Sequence, residues 1–530
     1  MGTDAVPPSR RERWSIASIT AAFALLLMIW ALVTPMFQAP DELPHTDAAI
    51  AVASGTGWPA PGDLRASNAI QAAKAEAPTV PPSQRTTWAQ MLRDHPGTSD
   101  GVNQMTQHPP TYYALAAGVL HLVHYEDLRW DLVVMTLRLL DVVLVAPLPL
   151  LVWASARRLT RSPRVALVAA TAVFAVPQLA QIASSVTNDA PVILLGALVT
   201  WLVVRVLTGD RSWRTVIGTG LALGALVAMK ATGFPAIPFV AVGMLVAPAG
   251  QMRLRGRVLR GRVLRTLVAL AIGAAASGWW WVRNLVVFHT LQPNGLARAW
   301  TASPWPDGDT GPDPGYFLGS EWDSLTTSFW GKFGLLAYPL DGMVVLVLTV
   351  VALVAVLAAL LLRSQYRQPS AVLLVFPVVA GLLLLANNWA SYERLHRITG
   401  SQGRYFFVAL GALVLVAALG SLRFLPVPAR RVGGRIVAVG APVMALYGLS
   451  VAYRGFYEGF ALDVTRAGLA RLADTAPLGG TTLGVLAVLL AVVGGVAVVR
   501  VWLACGPVRG LPGADAPAHQ EGRRPDVASG

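Results

Sequence analysis

The sequence has almost no cysteine and few charged side chains. Cys505 is the single cysteine among 530 residues, which excludes an intrachain disulfide, a cysteine-based zinc site and a thiol pair. Redox chemistry is therefore not expected. Charged residues make up 13% of the chain, against about 25% in an average soluble domain. Because 55% of the residues are apolar and the mean hydropathy is +0.55, the composition predicts an integral membrane protein.

The formal net charge of +14 is explained by arginines in short loops. These arginines stand between apolar runs, for example in residues 157–164, 253–265 and 423–435. Short loops rich in arginine and lysine are typical of the cytoplasmic side of a membrane protein. We therefore predict no nucleic-acid partner and assign these loops to the cytoplasm.

Apolar runs of about 20 residues, the length that crosses a bilayer, recur along the chain. They predict twelve transmembrane helices, at residues 14–36, 132–155, 165–184, 190–207, 215–231, 234–249, 266–288, 337–362, 370–389, 404–423, 435–453 and 479–503. The first run lacks a convincing cleavage site, so we expect it to remain as the first helix. We predict a cytoplasmic N-terminus at 1–13, a transmembrane domain over 14–503 and a disordered cytoplasmic tail at 504–530, all in an inner or plasma membrane.

Two long segments are predicted on the extracytoplasmic side. Residues 37–131 form a first outer loop large enough to be a small domain. Within it, the apolar run 112–124 is too short to span, and counting it would move the basic residues 157–164 outside. We predict that it lies at the membrane interface. Residues 289–336, rich in Gly, Pro, Asp and Trp, are predicted to be an irregular ordered loop or lid.

An acidic pair, Asp41 and Glu42, directly follows the first span. A Pro-Asp turn that ends a helix explains the pair equally well. Carboxylates at the membrane boundary are partly desolvated, however, and can gain basicity or hold a metal. Other polar residues are predicted at the same depth on the same side, namely Asp47, His108, Asp189, Lys230, Arg283, Lys332, Arg404 and Tyr405.

Each of these residues also has an ordinary structural explanation. Lys230 and Arg283 suit basic anchors at span ends, Asp189 suits a helix cap, and His108 suits a loop residue. Their convergence favours chemistry, because a carboxylate can accept a hydroxyl proton while cations hold a phosphate leaving group. Arg404 could fork two phosphate oxygens, and Gly403 beside it would let a headgroup approach the backbone.

Two charged residues inside the second span, Arg138 and Asp141, are three positions apart on one helical face. This spacing brings the two side chains close together on a helix. It predicts an internal ion pair rather than a relay.

Several short motifs together resemble the GT-C class of membrane glycosyltransferases. They are Pro40-Asp41-Glu42, His108-Pro109-Pro110-Thr111-Tyr112-Tyr113, Thr187-Asn188-Asp189-Ala190, Phe329-Trp330-Gly331-Lys332-Phe333-Gly334 and Gln402-Gly403-Arg404-Tyr405. Their order and spacing over residues 14–425 resemble a large bacterial branch of that class. They are more distantly similar to aminoarabinose transferases and protein O-mannosyltransferases.

The resemblance implies an all-α polytopic fold and a polyprenyl-phosphate sugar as donor at the extracytoplasmic face. It implies Asp41 as general base or metal ligand, with Glu42 assisting, and Asp189 as a second acidic position and tentative metal ligand. Donor phosphate contacts would come from Arg404, Lys230, Arg283 and Lys332. His108, Asp47 and Tyr405 would support substrate binding. A divalent metal, Mg²⁺ or Mn²⁺, is possible but not required.

The resemblance also bears on the acceptor. The chain lacks the large soluble C-terminal domain of the oligosaccharyltransferases in this class, which argues against peptide-sequon glycosylation. We expect a cell-envelope glycan, lipid or protein as acceptor, with membrane lipids as the surroundings. Two other interpretations stay open, a multi-span transporter or lipid-linked-sugar flippase and a non-catalytic scaffold.

Overall fold

The computed structural model describes residues 7–246, 256–296, 300–305, 311–459 and 463–506. The predicted tail lies outside them except for residues 504–506. The helices are α1 Arg10–Val33, α2 Glu42–Ala53, α3 Asn68–Glu76, α4 Trp88–Asp94, α5 Thr111–Leu122, α6 Trp130–Val145, α7 Leu148–Thr160, α8 Pro163–Ala172, α9 Pro177–Ala183, α10 Asp189–Leu207, α11 Trp213–Met229, α12 Ala236–Leu245, α13 Gly256–Phe288, α14 Pro314–Trp330, α15 Gly342–Leu361, α16 Arg367–Leu395, α17 Leu410–Phe424, α18 Val427–Tyr457, α19 Arg466–Thr475 and α20 Gly479–Ala504.

Strands are few in the described residues. They form two antiparallel pairs, β1 Arg65–Ser67 with β2 Thr98–Val102 and β3 Lys332–Phe333 with β4 Tyr338–Pro339. The predicted all-α membrane architecture is confirmed, and the chain is a multi-pass membrane protein.

The structure agrees with the predicted positions of the spans more closely than with their predicted number. Nine helices of the described residues are long and apolar enough to cross a membrane, or ten if the bent segment of α8 and α9 is one span. Two further predicted positions hold the shorter apolar helices Trp213–Met229 and Ala231–Leu245. A helix is present at every predicted position, but the count of twelve spans is not confirmed.

The predicted third span is broken in the middle. Its first part ends at Ala175, and α9 starts at Pro177 with a change of direction of 74°. A proline ring clashes with the preceding helical turn and offers no N–H, so Pro177 favours a bend or break in the helix at this point. The redirected α9 leads into the turn 184–188, which delivers Asp189 to the start of α10.

The first outer loop folds around its own hydrophobic core. Trp88, Tyr112 and Trp130 are fully buried there, and α2 packs against α5. With 12 residues, α5 is not among the helices that could cross a membrane in the described part of the chain. That this helix lies at the interface, and that the loop is extracytoplasmic, stay predictions.

The second long loop contains a helix that the composition did not predict. The 17-residue α14 begins at Pro314, and the side chain of Asp313 caps it by accepting from the backbone N–H groups of Gly315, 2.7 Å, and Tyr316, 3.1 Å. An Asp cap followed by Pro in the first turn is a strong helix start. The Gly- and Pro-rich run therefore ends in a helix, and an irregular loop over all of 289–336 is wrong.

Helix α10 is the element around which the polar residues gather. It packs against α6, α11 and the 3₁₀ helix Gly403–Ala409. Since Asp189 starts α10, Lys230 follows α11 and Arg404 lies in the 3₁₀ helix, these three side chains meet at one end of the bundle.

Candidate active site

Asp41 adopts an unusual backbone conformation at the start of α2. Its φ of 60° and ψ of 9° fall in the left-handed region, which non-glycine residues seldom occupy. Although Asp41 precedes the helix, its side chain makes no capping hydrogen bond. The carboxylate accepts from the Arg404 guanidinium instead, so a turn that ends a helix does not by itself explain the contacts of Asp41.

Four alternating charges form a continuous chain, which we call the charge chain: Asp41, Arg404, Asp189 and Lys230. Arg404 contacts Asp41 through Nη2, and its Nε lies 3.7 Å from Oδ2 of Asp189. The Nζ of Lys230 donates to Oδ1 of Asp189 over 2.5 Å. The Tyr405 ring lies beside both cations, with its centroid 5.5 Å from the Arg404 guanidinium and 5.6 Å from the Lys230 amine. Residues far apart in the sequence thus share one cluster.

Within the charge chain, Asp41 is the accessible member. Its side chain is 35% exposed, whereas those of Arg404, Asp189 and Lys230 are 3%, 6% and 8% exposed. A molecule that approaches the cluster therefore meets the Asp41 carboxylate first.

Several buried polar atoms around the charge chain have no hydrogen-bond partner among the described residues. They are Nε of Arg404, Oδ2 of Asp189, Nδ1 of His108 and both side-chain polar atoms of Asn188. Buried polar atoms are nearly always paired in folded proteins. A group of such unpaired atoms beside an accessible carboxylate is typical of a site that binds a polar ligand.

The charge chain controls the ionisation of the accessible carboxylate. Burial alone would raise the pKa of Asp41, but Arg404 lowers it strongly, and His45 and Lys230 lower it further. The net pKa lies well below the usual 3.8. Asp41 is therefore a firmly ionised and weakly basic carboxylate as long as Arg404 stays in contact with it.

Two neutral histidines stand next to the charge chain. Burial, reinforced by Lys230, lowers the pKa of His45 to about 3. Burial and the same lysine lower the pKa of His108 well below 6.5. Nδ1 of His45 lies 2.9 Å from the hydroxyl of Tyr113. Both imidazoles are uncharged at neutral pH and can only exchange hydrogen bonds there.

Sequence reasoning missed His45 and Tyr113 as site residues. A signal was present for both. His45 stands four positions after Asp41 at the start of α2, and Tyr113 closes the motif that contains His108. Asn188 was likewise overlooked beside Asp189, because an asparagine directly before a helix is commonly a helix cap; its side chain makes no capping hydrogen bond here.

Glu42 points away from the charge chain. Its carboxylate is fully buried, receives Nε and Nη2 of Arg138 at 2.7 Å each, and accepts from the backbone N–H of Phe37 at 2.8 Å. All its hydrogen-bonding capacity is used within the protein. An assisting catalytic role for Glu42 stays a prediction, and these contacts favour anchoring of the turn that carries Asp41.

The predicted ion pair between Arg138 and Asp141 is wrong. Arg138 binds Glu42, while Asp141 accepts from the hydroxyl of Tyr112 at 3.0 Å and the backbone N–H of Thr187 at 2.8 Å. Spacing along one helix allowed the pair, but partners from α2, α5 and the turn before α10 compete for both side chains.

The remaining predicted residues lie outside the charge chain. Asp47 accepts from Ser67 Oγ at 2.7 Å and Asn103 Nδ2 at 2.8 Å, which ties α2 to the β1–β2 side of the first loop. Arg283 stacks on Trp280 and Phe288 of its own helix. Lys332 sits in β3, where its backbone N–H donates to Gln178. Substrate-related roles for these three residues stay predictions.

Gly403 serves protein packing. A Cβ at this position would lie 2.4 Å from the carbonyl oxygen of Leu325 and the backbone nitrogen of Phe329, both in α14. Its N–H donates to Ser328 Oγ of the same helix at 2.8 Å. We expected Gly403 to allow a lipid headgroup to approach the backbone. The structure shows that it instead allows α14 to pack closely, next to Arg404.

A metal finds little support in the side chains present. In the described parts of the chain, no three His, Cys, Asp or Glu side chains come together as a metal-binding group. Asp41 and Asp189 are both in contact with Arg404, so a cation between them would compete with the guanidinium. A divalent metal held by Asp41 and Asp189 stays a prediction.

Comparison with known proteins agrees with the class that the sequence suggested. Residues 107–281, about a third of the chain, match the family model of dolichyl-phosphate-mannose-protein mannosyltransferases. The matched segment contains His108, Asp189 and Lys230. A search of curated proteins gives no match. The match agrees with the predicted class, a GT-C-type membrane glycosyltransferase, but because it covers less than half of the chain, that class stays a prediction.

Solved structures with related architecture are similar only at a distance. ArnT from Cupriavidus metallidurans in the apo state is 12% identical with a TM-score of 0.49, covering 92% of this chain and 75% of that chain. The Archaeoglobus fulgidus oligosaccharyltransferase in the apo form is 13% identical with a TM-score of 0.45, covering 93% and 57%. The S. cerevisiae Pmt1-Pmt2 complex bound to the sugar donor is 16% identical with a TM-score of 0.38, covering 57% and 36%. None of these similarities assigns a substrate to this chain.

Proposed function

We propose that this protein transfers a sugar from a polyprenyl-phosphate donor to a hydroxyl group of an acceptor, at the extracytoplasmic face of the membrane. The observation that carries the proposal is the charge chain, in which one accessible carboxylate is joined to buried cations. A transfer of this kind needs a base for the acceptor proton and positive charge for the departing phosphate. Both are present within one cluster.

Each residue of the charge chain has a distinct task in this reaction. The acceptor oxygen attacks the anomeric carbon of the sugar, and Asp41 accepts the hydroxyl proton. The bond between the anomeric carbon and the phosphate oxygen breaks, and the polyprenyl phosphate leaves with the bonding electrons. Arg404 and Lys230 stabilise the negative charge on that phosphate.

The low pKa of Asp41 makes donor binding part of the mechanism. While Arg404 holds Asp41, the carboxylate is a poor base. A donor phosphate that takes over Arg404 removes the main charge that lowers the pKa of Asp41, so burial can raise its basicity. The base is then strengthened only when the leaving group is in place.

Support for the donor class and for the side of the membrane comes from the sequence. The matched family model describes enzymes named for dolichyl-phosphate-mannose, a polyprenyl-type lipid phosphate sugar. The basic short loops favour the opposite end of the bundle as cytoplasmic, with both termini on that side. For the acceptor we propose a cell-envelope glycan, lipid or protein.

A transporter is less well supported. The charged side chains inside the second predicted span, Arg138 and Asp141, are fully buried and use their hydrogen bonds within the protein. Side chains that mark a transport pathway face a water-filled cavity, and these do not.

Asp41→Asn is the direct test of the proposal. The amide cannot accept the proton, so we expect sugar transfer to fall roughly 10²–10⁴-fold, the usual contribution of a general base. Purified full-length protein would be assayed with mannosyl-phosphoryl polyprenol and a panel of hydroxyl acceptors. Mass spectrometry of envelope glycolipids from cells that carry each variant would complement the assay.

Asp63→Asn is the matched control. Asp63 is an exposed acidic residue of the same outer loop, and its side chain makes no hydrogen bond to the described residues. It should behave as wild type. If D41N retains full transfer activity and unchanged envelope glycans, Asp41 is not the base and the proposed mechanism fails.

A further inference from the structure

A long apolar crevice runs through the helix bundle on the side of the 3₁₀ helix Gly403–Ala409. Its volume is about 1550 Å³. Helices α8 and α17 form its floor, and α15 and α18 form its walls. Each wall helix packs on a floor helix, while the two walls make little contact with each other. Val351, Leu353 and Ile436 on the walls are exposed, so the crevice opens sideways between α15 and α18.

One end of the crevice is lined by four arginines from three junctions between helices. Arg164 lies in the first turn of α8, Arg363 follows α15, and Arg423 and Arg430 flank the turn between α17 and α18. Among the described residues that line the crevice, none is acidic. None of the four arginines lies within 4.0 Å of a carboxylate in the described ranges. The known contacts are to backbone carbonyls, Arg164 to Ala504 and Arg430 to Leu425.

The other end of the crevice is apolar and close to the candidate active site. Trp322 and Phe329 of α14 line it together with Phe406, which follows Arg404 by two positions in the 3₁₀ helix. The arginine end and the charge chain are therefore at opposite ends of the bundle. The four arginines cannot take part in the proposed transfer.

We propose that the arginine end binds the phosphate group of an anionic glycerophospholipid of the membrane, with the acyl chains lying in the crevice. Guanidinium groups fork phosphate oxygens, and basic pockets between transmembrane helices recognise anionic lipid headgroups. A single arginine at a helix end commonly extends to the interface without a ligand. Four cations around one crevice repel each other, and a lipid phosphate offsets that repulsion while its chains cover the exposed apolar walls.

This lipid site is independent of the proposed sugar transfer. The bound lipid would link the three helix junctions that carry these arginines through its headgroup, and its chains would fill the gap between α15 and α18. The occupant of the site is a structural lipid of the leaflet that holds the basic loops.

Native mass spectrometry of the full-length protein tests the lipid site. Delipidated protein would be titrated with phosphatidylglycerol and, separately, with phosphatidylcholine, which has no net charge. We expect tighter binding of phosphatidylglycerol to the wild type. The double substitution Arg363→Gln and Arg423→Gln should weaken that binding roughly a hundredfold, about tenfold for each lost charge-assisted hydrogen bond. Both arginines are exposed, so the variant should fold.

Arg214→Gln is the matched control, since Arg214 is an exposed arginine in the first turn of α11 and does not line the crevice. It should bind phosphatidylglycerol as the wild type does. Undecaprenyl phosphate, added in competition, should leave the bound phosphatidylglycerol in place. The proposal would be overturned if the double variant bound phosphatidylglycerol unchanged, or if R214Q lost as much binding as the double variant. Displacement by undecaprenyl phosphate would also overturn it, because the crevice would then bind the polyprenyl chain of the donor.

Because the readout is lipid binding, its result is separate from that of the transfer assay. Failure of D41N to lose activity would leave the lipid site standing, and loss of lipid binding without loss of transfer would leave the proposed function standing.

Discussion

At the scale of the residue, Asp41 combines a rare backbone conformation with the accessible position in the charge chain. Left-handed φ values at residues other than glycine cost free energy and are often found where function demands them. Here the conformation turns the carboxylate away from the helix it precedes and towards Arg404. The sequence motif located this residue but could not reveal its conformation.

Arg404→Gln tests the electrostatic control of Asp41. Arg404 lowers the pKa of Asp41, so its removal should raise that pKa, and the acidic limb of kcat/KM should move to higher pH. The KM for the donor should also rise because a phosphate contact is lost. The measurement is the pH dependence of transfer at several donor concentrations.

Arg404→Lys separates charge from geometry. It keeps the positive charge, so the acidic limb should stay near that of the wild type while the donor KM rises, because an ammonium group cannot fork two oxygens. An identical acidic limb in R404Q and wild type would contradict the coupling of these two residues.

At the scale of the element, the turn between α1 and α2 is held by the buried pair of Glu42 and Arg138. Arg138 also donates to the carbonyl oxygens of Ala31 and Thr34, at the end of α1, over 2.6 and 2.7 Å. One arginine of α6 thus fixes the end of α1 and the start of α2 together. The two neighbouring acidic residues therefore have different contacts. Glu42 anchors the turn, whereas Asp41 belongs to the charge chain.

Glu42→Gln should destabilise the protein strongly. Removing one partner of a buried ion pair leaves the other charge without compensation, which costs about 3–5 kcal/mol. The measurement is thermal or denaturant unfolding in detergent. The adjacent D41N should lower the stability less, because the Asp41 side chain is 35% exposed. Equal stability of E42Q and wild type would show that the pair does not anchor the turn.

Gly403→Ala tests whether close packing of Gly403 against α14 positions Arg404. A methyl group would lie 2.4 Å from backbone atoms of Leu325 and Phe329, so α14 must shift. We expect a loss of roughly 1–3 kcal/mol in stability, as in other overpacked sites, together with reduced transfer. Unfolding and activity would be measured on the same preparation.

Gly319→Ala is the control for that substitution. Gly319 lies on α14 itself, and an added Cβ meets nothing within 4 Å. The helix should tolerate alanine or gain up to about 1 kcal/mol. Matching losses in G319A and G403A would indicate a general weakness of α14 rather than a specific contact.

At the scale of the whole molecule, hydrophobic runs and basic loops were enough to predict the helix positions. Of the polar residues predicted to converge, Asp41, Asp189, Lys230 and Arg404 meet in the charge chain, whereas Asp47, Arg283 and Lys332 lie outside it. The runs and loops could not predict the break at Pro177 or the start of α14, because one proline and one capped turn decide those features locally. Nor could they pair the charges. Arg138 and Asp141 have ideal spacing on one helix, yet partners from other elements bind both.

The single cysteine allows a direct test of the predicted topology. In a Cys505→Ala background, Asp63→Cys in the first loop should react with a membrane-impermeant maleimide added to intact cells. Arg214→Cys, in a predicted cytoplasmic loop, should react only after the membrane is opened. Both positions are exposed. The reverse pattern of labelling would invert the assignment of the active site to the extracytoplasmic face.

The alternation of two carboxylates with two cations has a consequence for selectivity. With all four groups ionised, the resting charge chain carries no net charge. Its long-range electrostatic attraction for the abundant phosphates of the surrounding bilayer is therefore weak. An anion gains only at contact distance, where it must outcompete Asp41 for the guanidinium. Under the proposed function, selection of a sugar donor over bulk lipid therefore depends on contacts within the site, and ordinary headgroups should not occupy the resting protein.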